Sequence, residues 1–372
     1  MSLLRHFVAT SVTVPAATAS HRFRVITYNI LANKFALGGH HSHCPSQHLS
    51  WTYRQPAILA ELKHYDADVL CLQEVEQAVF DDVLTPWMGD MGFAGHFYAR
   101  VQGRGAPEGA ALFYRLNKFE LIHSEAVRFS DVPLPGASWS TEDRGGKGKD
   151  HPYLELQEGM VLALLRHTAS GRNVLAAATH LHWDPQYPDV KAMQAAALCS
   201  VVADVLRAHC SSLDVAVVIG GDFNSLAEKR ASDDYDRVPE AGVHVSGSYQ
   251  LMDSGSLPPA HLDHPRHHRR RGDDSPRFCE DLVLGSSGLQ LHSTQAAAQG
   301  REPVLTTKTA SFSGTLDYVF ISRQHFQVEA VLEMPYTEPA EWRSPMEVKW
   351  GPIPDSNWPS DHLAMGADLV LL

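Results

Sequence analysis

The sequence predicts a layered α/β domain. Short apolar or alternating segments recur along the chain, helical stripes fall between them, and no internal repeat or linker separates two folding units. The expected strands are Phe23 to Leu31, Ala67 to Val75, Ala110 to Tyr114, Met160 to Arg166, Asn173 to His180, Val215 to Gly220, Leu316 to Ile321 and Leu363 to Leu371. Several of them end in polar groups. Between the strands, Thr52 to His64 places Ile58, Leu59 and Leu62 at helical spacing, and Asp189 to Cys210 places Leu198, Val201, Val202, Val205 and Leu206 on one stripe. Three segments read as surface excursions: Ser130 to Tyr153, Ala227 to Gly247 and Ala260 to Phe278.

At 372 residues with 44% hydrophobic side chains, the chain can bury a sizeable core. No apolar stretch reaches the ~18 to 20 residues of a membrane helix, so no membrane partner is expected. Five cysteines, odd in number and without a Cys-x-x-Cys pair, argue against a disulfide framework and a structural zinc. The formal charge of −12 speaks against a broad basic face for duplex DNA. A divalent cation bridging protein carboxylates to a phosphate would reverse that sign locally. Residues 1–22 are expected to be an amino-terminal extension, weakly like an organellar transit peptide, and 23–372 a single catalytic domain.

The chemistry starts at the strand ends. Hydrolysis of a phosphodiester requires neutralising developing negative charge, orienting a water and stabilising the leaving oxygen. Glu74 follows Val-Leu-Cys-Leu-Gln, where a carboxylate needs a cation or an exposed rim, so it is the foremost ligand candidate. Asp222 and Asn224 lie two apart after an apolar run and Gly-Gly; on extended chain they share a face, although an Asx turn would use the same pair. Asp361 and His362 precede the last strand, as carboxylate for a metal shell and imidazole for the phosphate or water. His180 closes a strand, and His182 is expected to point the same way. Asp317 heads a strand and fits the orienting of a histidine. His40, His41 and His43 with Cys44 read as an ordinary Gly-rich loop rather than a transition-metal site.

Taken in order, Thr-Tyr-Asn (27 to 29), Leu-Gln-Glu-Val (72 to 75), Thr-His-Leu (179 to 181), Gly-Asp-Phe-Asn (221 to 224), Leu-Asp-Tyr-Val (316 to 319) and Ser-Asp-His (360 to 362) resemble the endonuclease/exonuclease/phosphatase superfamily. Within it, the strings at 44 to 54, 108 to 115 and 180 to 191 resemble the carbon-catabolite-repressor-type, nocturnin-related poly(A) deadenylases. This resemblance implies a four-layer, deoxyribonuclease-I-like α/β sandwich, with two mixed β-sheets face to face and helices outside. It implies a Mg²⁺-dependent 3′ to 5′ exoribonuclease that shortens poly(A) and releases 5′-AMP, using one or two ions, with Mn²⁺ as an allowed substitute. Glu74 is then the magnesium ligand, Asn29 and Asp361 complete or support the metal site, and Asp222 positions the water. Asn224 and His180 contact the phosphate, His362 with Asp317 behind it stabilises the transition state, and Phe312 and Pro185 enclose the adenine.

Departures limit the resemblance. Deadenylases of the large cytoplasmic complex carry a leucine-rich repeat before the catalytic domain; no such segment is read here, so recruitment by that route is not expected. The His and Arg tract at 266 to 271 has no matching counterpart. An RNA 3′ end is the expected partner, cytoplasm the default compartment with nucleus and organelle as alternatives, and the oligomeric state is not indicated. Two other readings stay open: a phosphohydrolase of NADP(H) or 2′,5′-oligoadenylate, and a silent scaffold for RNA or a partner protein. The His-Trp-Asp-Pro string (182 to 185) favours the deadenylase branch over the nocturnin branch.

Overall fold

Two mixed sheets lie face to face, and each carries helices on its outer side. The computed structural model describes residues 4–11, 20–100, 106–137, 152–212, 214–229, 242–267, 281–336, 341 and 344–372. The seven-stranded sheet runs Phe7–Ala9, Phe326–Leu332, Met365–Leu371, Arg22–Asn29, Val69–Glu76, Glu108–Arg115, Phe93–Arg100. The six-stranded sheet runs Leu291–Ser293, Asp317–Ser322, Ala216–Asp222, Asn173–His180, Gly159–His167, Phe119–Arg128. One pair in each sheet is parallel, Arg22–Asn29 with Val69–Glu76 and Asn173–His180 with Ala216–Asp222. Four layers result, as the resemblance implies.

Period-two alternation assigns the strand residues to layers. Val25, Val69, Cys71 and Leu112 of the first sheet meet Ala163, Leu165, Val174, Ala176 and Val218 of the second in the central layer. Their neighbours Ile26, Tyr28, Leu70 and Leu72 face outward onto Ile58 and Leu62 of the helix Trp51–Tyr65. Leu162, Leu164, Leu175, Val217 and Ile219 face the opposite way, onto the helix Pro188–His209. Each valine, leucine or isoleucine among them, removed from water, stabilises the fold by ~1.5 to 3 kcal/mol. The sheets approach closely enough that a Cβ on Gly220 would fall 2.8 Å from Cys71 Cβ.

The helix Pro188–His209 has Pro188 in its first turn with Asp189, and Arg207 and His209 in its last, the arrangement favoured by fixed φ and by the helix dipole. The stripe read from the sequence is buried along its length. Phe7–Ala9 pairs with Phe326–Leu332, so the first sheet begins before residue 23. Phe93–Arg100, Phe119–Arg128 and Phe326–Leu332 add strands that the sequence reading does not contain. Residues 138–151, 230–241 and 268–280, which take up most of the three expected excursions, lie outside the described residues, as does the His and Arg tract beyond His267. Cys44, Cys71, Cys199 and Cys210 are unpaired thiols. No helix among the described residues is long and apolar enough to cross a membrane.

Candidate active site

The parallel pairs bring their strand ends to one rim. Asn29 ends Arg22–Asn29, and Gln73 lies opposite it on Val69–Glu76. The pairing of that strand with Glu108–Arg115 shifts register between Leu72 and Val75, and Glu74 within this irregularity has φ 55. Such a bulge re-aims a side chain that a regular strand would send elsewhere. On the second sheet, His180 and Asp317 both lie in register with Asp222, so three strands deliver functional groups side by side.

Asn29 joins these ends. Its amide nitrogen donates to Glu74 Oε1 and to Asp222 Oδ2, each at 3.0 Å. Its oxygen accepts from the Leu31 N–H at 3.0 Å and keeps a second lone pair. Glu74 Oε2 accepts from the Ala32 N–H. Burial, then the nearby charges of Asp361 and Glu108, push the Glu74 carboxyl up to about 7.

The second cluster centres on His362. Its Nδ1 lies 2.8 Å from Asp317 Oδ2, and its Nε2 lies 3.7 Å from Asp222 Oδ2. Burial opposes its charge, but the facing Asp317 and Asp222 carboxylates hold the imidazole well above its ordinary value. Thr306 donates its hydroxyl to the same Asp317 oxygen at 2.5 Å. Asp222 is raised to about 6, chiefly by burial. His180 Nε2 stands 3.5 Å from Asp222 Oδ2; burial and then the Arg100 charge keep this ring neutral. Asn224, at φ 48, donates its backbone N–H to Asp222 Oδ1 and its side-chain amide to Leu181 O. The Asx turn that Asp-x-Asn allows is therefore formed.

Asp361 is tied in by its neighbours. Ser360 donates to Asn29 O, Thr307 to Asp361 O, and the fully buried Arg54 to Pro359 O as well as to Leu49, Ile30 and Leu31 carbonyls. Asp361 Oδ1 is buried without a hydrogen-bond partner, and Oδ2 lies 3.7 Å from His41 Nε2. A divalent cation fits here: Glu74 carries a buried charge opposed by like charges, and Asp361 offers an unpaired hard oxygen. Asp222, Asp317 and His362 also bring one ligand atom each within 4.8 Å of one another and could hold a metal ion. An ion there would displace the His362–Asp317 hydrogen bond, so the Glu74 and Asp361 pair suits a cation better.

A cleft of about 620 Å³ opens beside these groups, lined by Asn224, Asp361, His362, Pro185 and Phe312 among others. Phe312 sits at the tip of the hairpin Thr307–Lys308 and Ser313–Gly314, closed by the Thr309 N–H to Phe312 O bond. The bridge between Thr307 and His362 fixes this hairpin to the site.

Not every expected residue reaches the cleft. His182 diverges from His180, with its Nδ1 3.0 Å from Glu158 Oε1 and its N–H held by Gln194, and neither histidine lines the cleft, nor do Asn29, Glu74, Asp222 and Asp317 behind it. Glu158 in turn pairs with Arg100, and Arg100 with Glu108, whose side chain is close to Lys34. The sequence reading does not contain this buried chain of charges, nor Thr306 behind Asp317, because each member comes from a different strand or loop. Arg54, Glu108 and Lys191 do sit inside the longer strings quoted for the resemblance. His41, read as part of an ordinary loop, is buried beside Asp361.

The fold and this rim of acids, amides and imidazoles define a phosphate-ester hydrolase architecture, and the chain belongs to the endonuclease/exonuclease/phosphatase family, whose profile matches residues 26–362. It is 28% identical over 371 residues to the CCR4-Not complex 3′-5′-exoribonuclease subunit Ccr4 of Candida albicans, covering 95% of this chain and 42% of that protein. It is 27% identical to the CCR4-NOT transcription complex subunit 6-like protein of Danio rerio, covering 93% and 62%. The chain thus spans less than two thirds of the length of each of these curated relatives. Among solved structures, it is similar to ANGEL2, a 2′,3′-cyclic phosphatase, with a TM-score of 0.70 at 22% identity and 99% of both chains covered. The human Nocturnin catalytic domain gives a TM-score of 0.62 at 22% identity, covering 99% of this chain and 97% of that one.

Proposed function

We propose that this chain is a divalent-cation-dependent 3′ to 5′ exoribonuclease that shortens poly(A) and releases 5′-AMP. One observation carries the reading: the Asn29 bridge between Glu74 and Asp222 stands beside the His362–Asp317 pair, and His362 lines a cleft whose wall also holds Phe312 and Pro185. The name of the Ccr4 relatives, a 3′-5′-exoribonuclease subunit, supports the exonucleolytic direction.

Glu74 and Asp361 would hold Mg²⁺, or Mn²⁺ in its place, with Asn29 as support. Such an ion, when bound, neutralises charge on the phosphate oxygens and the leaving oxygen. Asp222 accepts the proton of the attacking water, a role that its raised carboxyl suits. The neutral His180 and the Asn224 amide orient the scissile phosphate. His362, charged and fixed by Asp317, donates to the oxygens on which charge develops. Phe312 stacks on the terminal adenine and Pro185 closes its other face; stacking supplies affinity, ~1 to 3 kcal/mol per base, and the pocket shape supplies choice. A cytoplasmic site of action accompanies an mRNA substrate in this proposal.

The test is magnesium-dependent digestion of 5′-labelled poly(A), poly(U) of equal length, 2′,5′-oligoadenylate and NADPH by the wild type and Glu74→Ala. Stepwise shortening of poly(A), lost in the variant, is expected. Phosphate release from NADPH with RNA untouched would replace the exonuclease by a nucleotide phosphatase, and inactivity on all four would leave a binding protein.

A further inference from the structure

Among the described residues, three aromatic side chains stand out as exposed, Tyr53, Trp183 and Phe312, and two of these line the same cleft. Phe312 is 41% exposed and Trp183 62%. Isolated exposed apolar groups are ordinary on protein surfaces. Two aromatic faces on the wall of one concave site, with the acid and imidazole cluster at its end, form an arrangement that bases fit.

Trp183 is also set in place. On its amino-terminal side, His182 is fixed by Gln194 Oε1 on its N–H at 2.8 Å and by Glu158 on its ring at 3.0 Å. The His182 ring further meets Tyr187 edge to face at 5.3 Å. On its carboxy-terminal side, Asp184 accepts from the Gln186 N–H with its side chain and from the Tyr187 N–H with its carbonyl. The segment is thereby anchored before and after the indole, while the indole itself faces the cleft. A backbone fixed on both sides of the indole leaves only the two side-chain torsions of Trp183 to be ordered when a base stacks, which lowers the cost of binding. Lys229 lines the same cleft, and the buried Lys191 beneath it donates its ammonium to Asn224 O, placing positive charge along the cleft wall in a chain of net charge −12.

We propose that Trp183 is the stacking platform for the base next to the 3′-terminal one, so that the cleft takes the end of a single-stranded oligonucleotide in preference to a mononucleotide. The inference rests on the exonuclease reading and names its substrate class. Stacking is tolerant of base identity, so Trp183 selects for polymer while the pocket at Phe312 and Pro185 selects the terminal base. The platform also gives His182 and the buried Glu158 a purpose that the cleft lining alone does not: they position the segment that presents the indole.

The experiment measures binding and cleavage separately. Binding is read by fluorescence anisotropy in an Asp222→Asn background, with 5′-labelled tetra-adenylate and the same oligomer carrying an abasic ribose at the penultimate position. Trp183→Ala is expected to weaken tetra-adenylate about tenfold, in keeping with the lower part of the range for one stacked base. The abasic oligomer is expected to bind the parent about tenfold more weakly and to lose nothing further in Trp183→Ala. Trp183→Phe should recover most of the affinity for tetra-adenylate. Equal losses on both oligomers, no loss on either, or no binding of tetra-adenylate by the parent would overturn the platform. Hydrolysis of tetra-adenylate by wild-type protein is followed in parallel. Cleavage without the binding difference would retain the exonuclease and discard the platform, whereas the binding difference without cleavage would retain the platform and discard the exonuclease.

Discussion

The side-chain amide of Asn29, at the end of a strand in one sheet, donates to Asp222 Oδ2, at the end of a strand in the other, across 3.0 Å. The same nitrogen holds Glu74. One amide therefore sets the spacing between the acid assigned to the cation and the acid assigned to the water. Asn29→Ala should lower turnover at least ~100-fold and destabilise the fold by ~1 to 3 kcal/mol, since it leaves two buried carboxylates short of a donor. Asn29→Asp should be worse, because a third acid enters the same space. Denaturant unfolding beside turnover checks both, and an unchanged midpoint in Asn29→Ala would remove the clamp.

Glu74 predicts a reversal between conditions. Without a divalent cation, Glu74→Gln should be as stable as the wild type or more so, because it relieves a buried charge crowded by Asp361 and Glu108. With Mg²⁺, the wild type should gain ~2.7 kcal/mol when the ion is at 100 times its dissociation constant, and the variant should gain far less. Thermal melts over a magnesium titration read this without any substrate. Equal shifts in both proteins would move the cation away from Glu74.

Asp317 acts through His362. Its carboxylate is among the charges that keep the imidazole protonated, so Asp317→Asn should lower the His362 value and shrink the charged fraction at neutral pH. A loss of ~10 to 100-fold in turnover is expected, as for other groups that orient a functional histidine. Taken as the ratio to wild type at each pH, the deficit should narrow as the pH is lowered, because protonation then restores the His362 charge, while the protonation of Asp222 and Glu74 slows both proteins. A uniform loss at every pH would make Asp317 a merely structural partner.

How much of this could be read from residues alone follows from locality. Asn173 to His180 is a strand over the range expected, because its apolar run ends at a polar group that also ends the ladder. Phe119–Arg128 was not expected, because an edge strand with exposed Leu121 and Ile122 lacks clean alternation. Glu74, Asp222 and Asp361 were legible as acids at the ends of apolar segments. The sense of His182 was not, since two residues along a chain share a face only while it stays extended, and the ladder stops at His180. Arg54 carries four carbonyls of the loops around the site, yet nothing local to a helix sequence announces a guanidinium at zero exposure. The chain from Lys34 through Glu108, Arg100 and Glu158 to His182 exists only after several elements have met.

Arg54 gives a prediction in its own right. A guanidinium has five N–H donors in a fixed fork, and here three nitrogens serve carbonyls of Leu49, Ile30, Leu31 and Pro359. Lysine concentrates its donors on one atom and cannot span these positions. Arg54→Lys should therefore loosen the link between the Asn29 segment and the Ser360–His362 loop, lowering both the melting temperature and turnover. A variant that kept its melting temperature and lost only turnover would place Arg54 in the chemistry instead of in the scaffold.

The far end of the sandwich predicts acid sensitivity unrelated to catalysis. His167 is 1% exposed at the end of Gly159–His167, with its ring near Phe23 and Phe119 and its Nδ1 2.9 Å from Ser170 Oγ. Burial, then the neighbouring His21 and Lys118 charges, lower it from 6.5 to about 4. The unfolded chain thus takes up this proton before the folded one does. The stability contributed by His167 is complete above about pH 6.5 and is lost as the pH falls toward about 4. His167→Gln should be less stable at pH 7, from poorer packing, yet should lose less stability than the wild type between pH 6.5 and 4. The buried His180 acts in the same direction and remains in both proteins, so it cancels in the comparison. Melting curves of the two proteins across that interval decide the matter: converging curves place the acid sensitivity at His167, and parallel curves assign it to other groups.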